Sequence, residues 1–374
     1  MQSCKEFVVQ FANTCDPDLP VEEDFANISF KNVTCELDNL GGSCPGGQSM
    51  IENIDGVSYC TFQRQLCVTC ELVSTYVNQD FIRKDIYVRV QTNNMPNHCY
   101  YHETAPQPQM IDFKVKWNSV KDASTLNTDI DRQIEVDFRL CRTETFLEEM
   151  IPKSAKFIAI QGQDLLEKAT GIALNGVLIY TSIQRETLQD PLSVVYQKVT
   201  KLSEADQCLG YIDYDNTSNP AYYYQSIPVC GSVTTNQDIL RIGKKCKDFT
   251  QCWQNPVSYA FQNSLTANEF EVMGLIKDGN ILYGLFEALF DENFSISEED
   301  PNQLDVCNGI FIGTQYAYAM TSYYPYQPGC FGPGNIKKIT PKCTSNLRLK
   351  GIQIAFRFVN IVILVLISTI YLSF

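Results

Sequence analysis

The stretch Asp305–Cys330 reads DVCNGIFIGTQYAYAMTSYYPYQPGC: tyrosines alternate with alanines at Tyr316-Ala317-Tyr318-Ala319, and an aromatic-proline run and a cysteine follow. Upstream the chain does much the same, with Cys208, then Ala221-Tyr222-Tyr223-Tyr224-Gln225, then Pro228 and Cys230. The offset is 99 residues for the first cysteine (307 − 208) and 100 for the second (330 − 230). Each copy opens on a similar phrase, Gly171-Ile172-Ala173-Leu174-Asn175-Gly176 and Gly274-Leu275-Ile276-Lys277-Asp278-Gly279. A repeat of this length predicts two related halves of one domain rather than a short-period solenoid.

Upstream of the repeat, Ile86–Gln91, Ile111–Trp117 and Ile134–Leu140 alternate apolar and polar residues in the manner of half-buried strands. Phe157–Ile160 and Val177–Tyr180 read as shorter strands, and helical patterning is confined to Thr181–Leu202 and Asn263–Met273. The expected fold is mainly β and sandwich-like, with long loops and few helices. Residues 1–85 hold seven cysteines among Gly and Pro turn signals and read as a small disulfide-rich module. Their odd number sends one cysteine outside that segment or leaves it free. A two-half domain is expected at 86–335, a juxtamembrane linker at 336–351 and a hydrophobic helix at 352–374.

The chain has 374 residues, a net charge of −14 and a pI near 4.7, which argues against nucleic-acid binding. Sixteen cysteines point to disulfides and an oxidising compartment. A lone C-x-x-C at Cys67–Cys70 lacks the second pair of a zinc site. Sequons at Asn27, Asn32, Asn216 and Asn293 agree with the same compartment. Met1–Lys5 leads into a polar segment without a signal-peptide core, so the true start is expected upstream. The other end, Val359–Phe374, is the most apolar stretch; extended back to Ile352 it is long enough to span, with Arg357 at the interface. It reads as a transmembrane helix or as a GPI-attachment signal with Ser345 or Asn346 as the attachment residue. A cytosolic tail anchor would need no signal peptide but conflicts with the cysteines and sequons.

Six phrases, in order, carry a family resemblance. They are NNMPNH at Asn93–His98, IDFKVKW at Ile111–Trp117, GIALNGVLIY at Gly171–Tyr180, GLIKDGNILYG at Gly274–Gly284, LDVCNG at Leu304–Gly309 and YAYAMTSYYPYQPGCFG at Tyr316–Gly332. Together they resemble the YHYH domain family over residues 87 to 335. The resemblance implies a Tyr-His-Tyr-His segment at Tyr222–Gln225, where Tyr223 and Gln225 replace the histidines, and Ala319 stands where the second copy would carry one. Two imidazoles two residues apart on a strand share a face and can ligate a metal; tyrosine and glutamine are poor substitutes and alanine is none. The copy therefore reads as degenerate.

Only two histidines exist, His98 and His102. His98 matches the histidine of the family's Pro-Asn-His phrase, and with Asp278 and Asp305 it is the candidate for a metal or acid/base cluster. The plainer reading gives His98 loop hydrogen bonds, makes Asp278-Gly279 a turn and Asp305–Gly309 a disulfide-anchored turn, and makes the tyrosines a half-buried β face. No G-x-S-x-G or H-E-x-x-H occurs and no cofactor is expected. Cys208–Cys230 and Cys307–Cys330 are equivalent and are expected to be disulfides, with Cys246 and Cys252 as competing partners. The function expected is a membrane-anchored secretory-pathway glycoprotein whose domain is a non-catalytic scaffold or a recognition module for a protein or glycan. The alternative is a metal-binding protein or metal-dependent enzyme acting through His98 and nearby carboxylates.

Overall fold

The structure is a computed structural model. With single-residue gaps it describes residues 2–18, 25–37, 50–78, 81–101, 104–117, 169–181, 205–213, 220–231, 243–252, 271–285, 304–321 and 326–333, together with Cys44 and Tyr259. The expected strands at Ile134–Leu140 and Phe157–Ile160, the helix after Thr181, the sequons at Asn216 and Asn293, and everything from 336 onward, including Ser345 and Asn346, lie outside these residues. Among the described residues no helix is long and apolar enough to cross a membrane.

The chain is mainly β. After a short helix α1 (Gln2–Val8) come β1 (Lys31–Glu36), β2 (Met50–Ile54) and β3 (Val57–Arg64), which form a three-stranded sheet in the order β1-β3-β2. A long hairpin of β4 (Leu66–Asn78) and β5 (Phe81–Thr92) pairs with β6 (Ile111–Lys116) in a second sheet. The alternation read at Ile86–Gln91 has its physical cause here: Val88 and Val90 are fully buried, while Arg89, on the other face, makes a bidentate pair with Asp112 across the β5–β6 ladder. The strand β5 crosses position 85.

The third sheet has eight strands, β7 (Ala169–Ala173), β8 (Leu178–Tyr180), β9 (Gly210–Asp213), β10 (Ala221–Tyr224), β11 (Val272–Ile276), β12 (Ile281–Leu285), β13 (Gly309–Ile312) and β14 (Gln315–Met320). Their order, β13-β14-β12-β11-β7-β8-β10-β9, is a palindrome of two four-strand halves. Each half repeats one pattern: an antiparallel hairpin, a parallel neighbour to its second strand, and an antiparallel edge. Of the helical patterning at Asn263–Met273, Val272 and Met273 belong to β11, and residues 263–270 lie outside the described residues.

The halves meet at β7 and β11 about a local two-fold axis. Leu275 pairs with Ile172, its own counterpart at an offset of 103 (275 − 172), and Gly274 and Ile276 pair with Ala173 and Gly171. Two further bonds are mates under the same offset, Leu174 N–H to the Met273 carbonyl (3.1 Å) and Lys277 N–H to the Thr170 carbonyl (2.8 Å). The repeated glycines are required by this approach. A Cβ on Gly171 would lie 2.4 Å from the Leu275 carbonyl oxygen, and one on Gly274 would lie 2.1 Å from that of Ile172. Both hairpins then turn through a glycine at positive φ, Gly176 (87°) and Gly279 (88°), as three-residue loops with a left-handed closing residue demand.

The residues of these strands divide between two cores. Ile172, Leu174 and Leu275 pack with Phe7, Val8 and Phe11 at α1 and with Leu66, Val68, Val88 and Val90 of the β4–β5 hairpin. Ala173, Met273 and Ile276 face the larger cluster that holds Tyr222, Tyr224, Tyr316 and Tyr318. The tyrosines are not a half-buried face: those four are between 0% and 3% exposed.

Six disulfides join described cysteines: Cys4–Cys70, Cys15–Cys67, Cys35–Cys99, Cys44–Cys60, Cys208–Cys230 and Cys246–Cys252. Cys35 is the odd cysteine of the first 85 residues, and its bond to Cys99 ties β1 to the loop after β5. Cys246 and Cys252, the competitors for Cys208, pair with each other. Cys307 is disulfide-bonded as well, and Cys330 lies outside the described residues.

Candidate functional site

The Ala-Tyr-Tyr-Tyr strand β10 is held by the loop Asn93–Tyr100. Asn94, at φ 57°, uses its side-chain amide as a peptide would. Its Nδ2 donates to the Tyr222 carbonyl (2.8 Å) and its Oδ1 accepts from Leu178 N–H (2.9 Å), which extends the parallel β8–β10 ladder. A short polar side chain that tolerates the left-handed region suits this place. Asn93 anchors the loop base through Gln65 N–H (3.0 Å) and the Gln63 carbonyl (3.0 Å).

This loop delivers His98, which is fully buried. Its Nδ1 lies 2.8 Å from the Cys99 carbonyl oxygen, an acceptor only, so Nδ1 carries the proton and Nε2 accepts. The Tyr224 hydroxyl therefore donates to Nε2 at 2.9 Å and accepts from Asn175 Nδ2 at 2.9 Å. Asn175 also donates to Asn97 Oδ1 at 3.0 Å. Above this network sits the buried Arg64 guanidinium, which donates to the Asn175 carbonyl from Nε (3.2 Å) and Nη2 (3.0 Å). Burial lowers the His98 pKa to about 4, the Cys99 bond opposes this and the Arg64 charge adds to it; burial also lowers Arg64 to about 10. His98 is thus a neutral imidazole at pH 7.

Beside it lies a turn that the chain builds twice. Asp206 Oδ1 accepts from Cys208 N–H (2.9 Å) and Gly210 N–H (3.0 Å), and Tyr222 donates to Oδ2 at 2.7 Å. Asp305 does the same with Cys307 N–H (2.8 Å), Gly309 N–H (2.8 Å) and the Tyr316 hydroxyl (2.7 Å). Leu209 and Asn308, at the same place in each turn, share a positive φ of 56° and 60°. The glycine that follows is there to admit the tyrosine, because a Cβ would meet its hydroxyl at 1.9 Å in Gly210 and 1.8 Å in Gly309. Burial raises the Asp206 pKa to about 7 against the pull of its three donors. The sequence signal for this motif is Asp-x-Cys-x-Gly at an offset of 99 (305 − 206); the cysteines alone do not reveal the aspartate's part.

The three sequence-derived candidates do not converge. His98 reaches Tyr224 of the first half from the loop after β5. Asp278 accepts the Tyr318 hydroxyl at 2.7 Å and caps its own hairpin through Asn280 N–H (3.2 Å), and Asp305 is committed to its turn. The second-half counterpart of Tyr224, Tyr318, meets a carboxylate and Gly332 N–H (3.0 Å) where Tyr224 meets an imidazole and an amide. Instead, the groups that gather at His98 are sulfurs: ligand atoms of His98, Cys208 and Cys230 all lie within 4.8 Å of one another. His102 lies outside the described residues. On the opposite face Tyr223 stacks on Tyr180 (centroids 4.4 Å apart), so it points away from Tyr222 and Tyr224. Of the sequons, Asn27 and Asn32 are exposed. No family model, no curated protein and no solved structure matches this chain.

Proposed function

We propose that this chain is a membrane-anchored, secretory-pathway glycoprotein whose two-half, sandwich-like domain is a degenerate YHYH-type module, serving as a scaffold or as a recognition surface for a protein or glycan. The observation that carries this reading is how its chemistry is spent. The histidine is neutral and hydrogen-bonded on both nitrogens, both turn aspartates hold backbone N–H groups, and the strand tyrosines are buried. Groups so fully committed and closed from solvent hold a structure together, whereas a catalytic base must reach a substrate proton. The disulfides and the exposed sequons Asn27 and Asn32 support an oxidising, glycosylating compartment. The apolar end from Ile352 supplies the anchor, by a helix or by a lipid attached at Ser345 or Asn346.

Two treatments of membranes from the cells that make the protein test this. Glycosidase digestion is expected to increase its mobility, and alkaline carbonate is expected to leave it in the pellet. Unglycosylated protein released by carbonate would overturn the reading; release by a phosphatidylinositol-specific phospholipase would select the lipid anchor over the helix.

A further inference from the structure

The convergence of His98 with Cys208 and Cys230 has chemistry that the disulfide conceals. We propose that these three residues form a redox-gated site for a soft d10 metal ion, Cu(I) or Zn(II), closed while Cys208 and Cys230 are bonded and formed when a dithiol reductant opens them. Two observations carry it. The ligand atoms lie within 4.8 Å of one another, with His98 on the loop after β5, Cys208 just before β9 and Cys230 after β10. His98 Nδ1 is 3.3 Å from Cys208 Sγ, close to the roughly 3.5 Å nitrogen–sulfur edge of a site with metal–ligand bonds of about 2.0 and 2.3 Å.

The steps balance. The dithiol gives two electrons and two protons to the Cys208–Cys230 bond and leaves as its own disulfide. The metal then replaces both thiol protons, which pass to solvent. Nδ1 gives up its proton and its bond to the Cys99 carbonyl, Nε2 takes up a proton and donates it to the Tyr224 oxygen, and the Tyr224 hydroxyl proton turns away. Two thiolates and one imidazole suit a soft ion, and three donors in a fully buried place suit the low coordination number of Cu(I). The second half is an internal reference. Its Cys307 is also disulfide-bonded, but the Tyr318 that replaces Tyr224 has an aspartate beside it and no histidine.

The test uses the full chain, reduced stepwise under argon, with thiol alkylation and mass spectrometry to identify which bond has opened. Cu(I) is titrated against a chromophoric chelator, and Co(II) serves as the absorbing substitute for zinc. At the step where Cys208 and Cys230 become free, one metal equivalent is expected, with a sulfur-to-metal charge-transfer band. His98→Ala is expected to weaken it at least tenfold, and the Cys208→Ser/Cys230→Ser pair, which keeps the imidazole, to abolish it. Cu(I) without Co(II) binding would select the three-coordinate ion. The proposal is overturned by free Cys208 and Cys230 thiols that take up no metal, by undiminished affinity in His98→Ala, or by a bond that opens only with global unfolding.

Discussion

At His98 the physical chemistry of a single side chain sets a pH dependence. Its folded pKa, about 4, lies below the ordinary value of 6.5, so between these pH values the unfolded chain binds a proton that the folded chain does not. Its contribution is complete above pH 6.5 and is lost as pH falls toward 4, about 3 kcal/mol over the interval. Asp206 runs the other way. Its folded pKa is raised from 3.8 to about 7, so the folded chain holds the extra proton and stability is lost as pH rises through that window. The two oppose each other in wild type. Urea unfolding of His98→Gln at pH 7 and pH 4.5 is expected to expose the Asp206 trend, with stability relative to wild type improving at the lower pH; an unchanged difference would mean that His98 is not buried neutral. The paired turns give a second prediction. Tyr222→Phe and Tyr316→Phe each remove a donor from a buried carboxylate and are expected to cost a similar amount, about 1–3 kcal/mol each, by chemical denaturation.

At the scale of elements, the central β7–β11 pair governs the fold. Adding one methyl at Gly171 or Gly274 drives a Cβ into a strand carbonyl, and either Gly→Ala change is expected to cost about 1–3 kcal/mol in thermal or urea unfolding, equally for the two sites. Wild-type stability in either variant would contradict the register. Removing the Cys208–Cys230 bond as a pair of alanines releases a 22-residue loop and is expected to cost about 3 kcal/mol. The repeat of these elements was legible in the sequence because glycine, cysteine and tyrosine are each fixed by a hard constraint: a close carbonyl, a covalent bond, a buried hydroxyl. The slip between tyrosine and cysteine offsets was legible only in part. The tyrosines repeat at 94 (316 − 222) and the turns at 99 (305 − 206), because the β13–β14 connection is shorter than that between β9 and β10. At the end of the expected helix Asn263–Met273, Val272 and Met273 are strand residues instead, because short apolar runs suit either state until pairing partners are known.

For the molecule as a whole, the duplication is symmetric in backbone and unequal in setting. The first half is clamped by Asn94, His98 and Arg64 from the preceding sheets; the second replaces the imidazole with Asp278. Sequence could not show this, since Asn94 and Arg64 act on carbonyl groups 128 and 111 positions away, and a peptide acceptor leaves no mark on residue identity. The expected oxidising compartment rests on cysteine number and sequons, which are chemical addresses rather than packing. We propose a disulfide-framed secretory glycoprotein with its histidine and aspartates committed to structure. Non-reducing peptide mapping of the protein from its own cells, with glycans removed in heavy-oxygen water, tests it most directly. The expected map links Cys35 to Cys99 and Cys208 to Cys230 and carries the deglycosylation mass tag at Asn27 and Asn32. Free thiols at those four cysteines with untagged asparagines would contradict it.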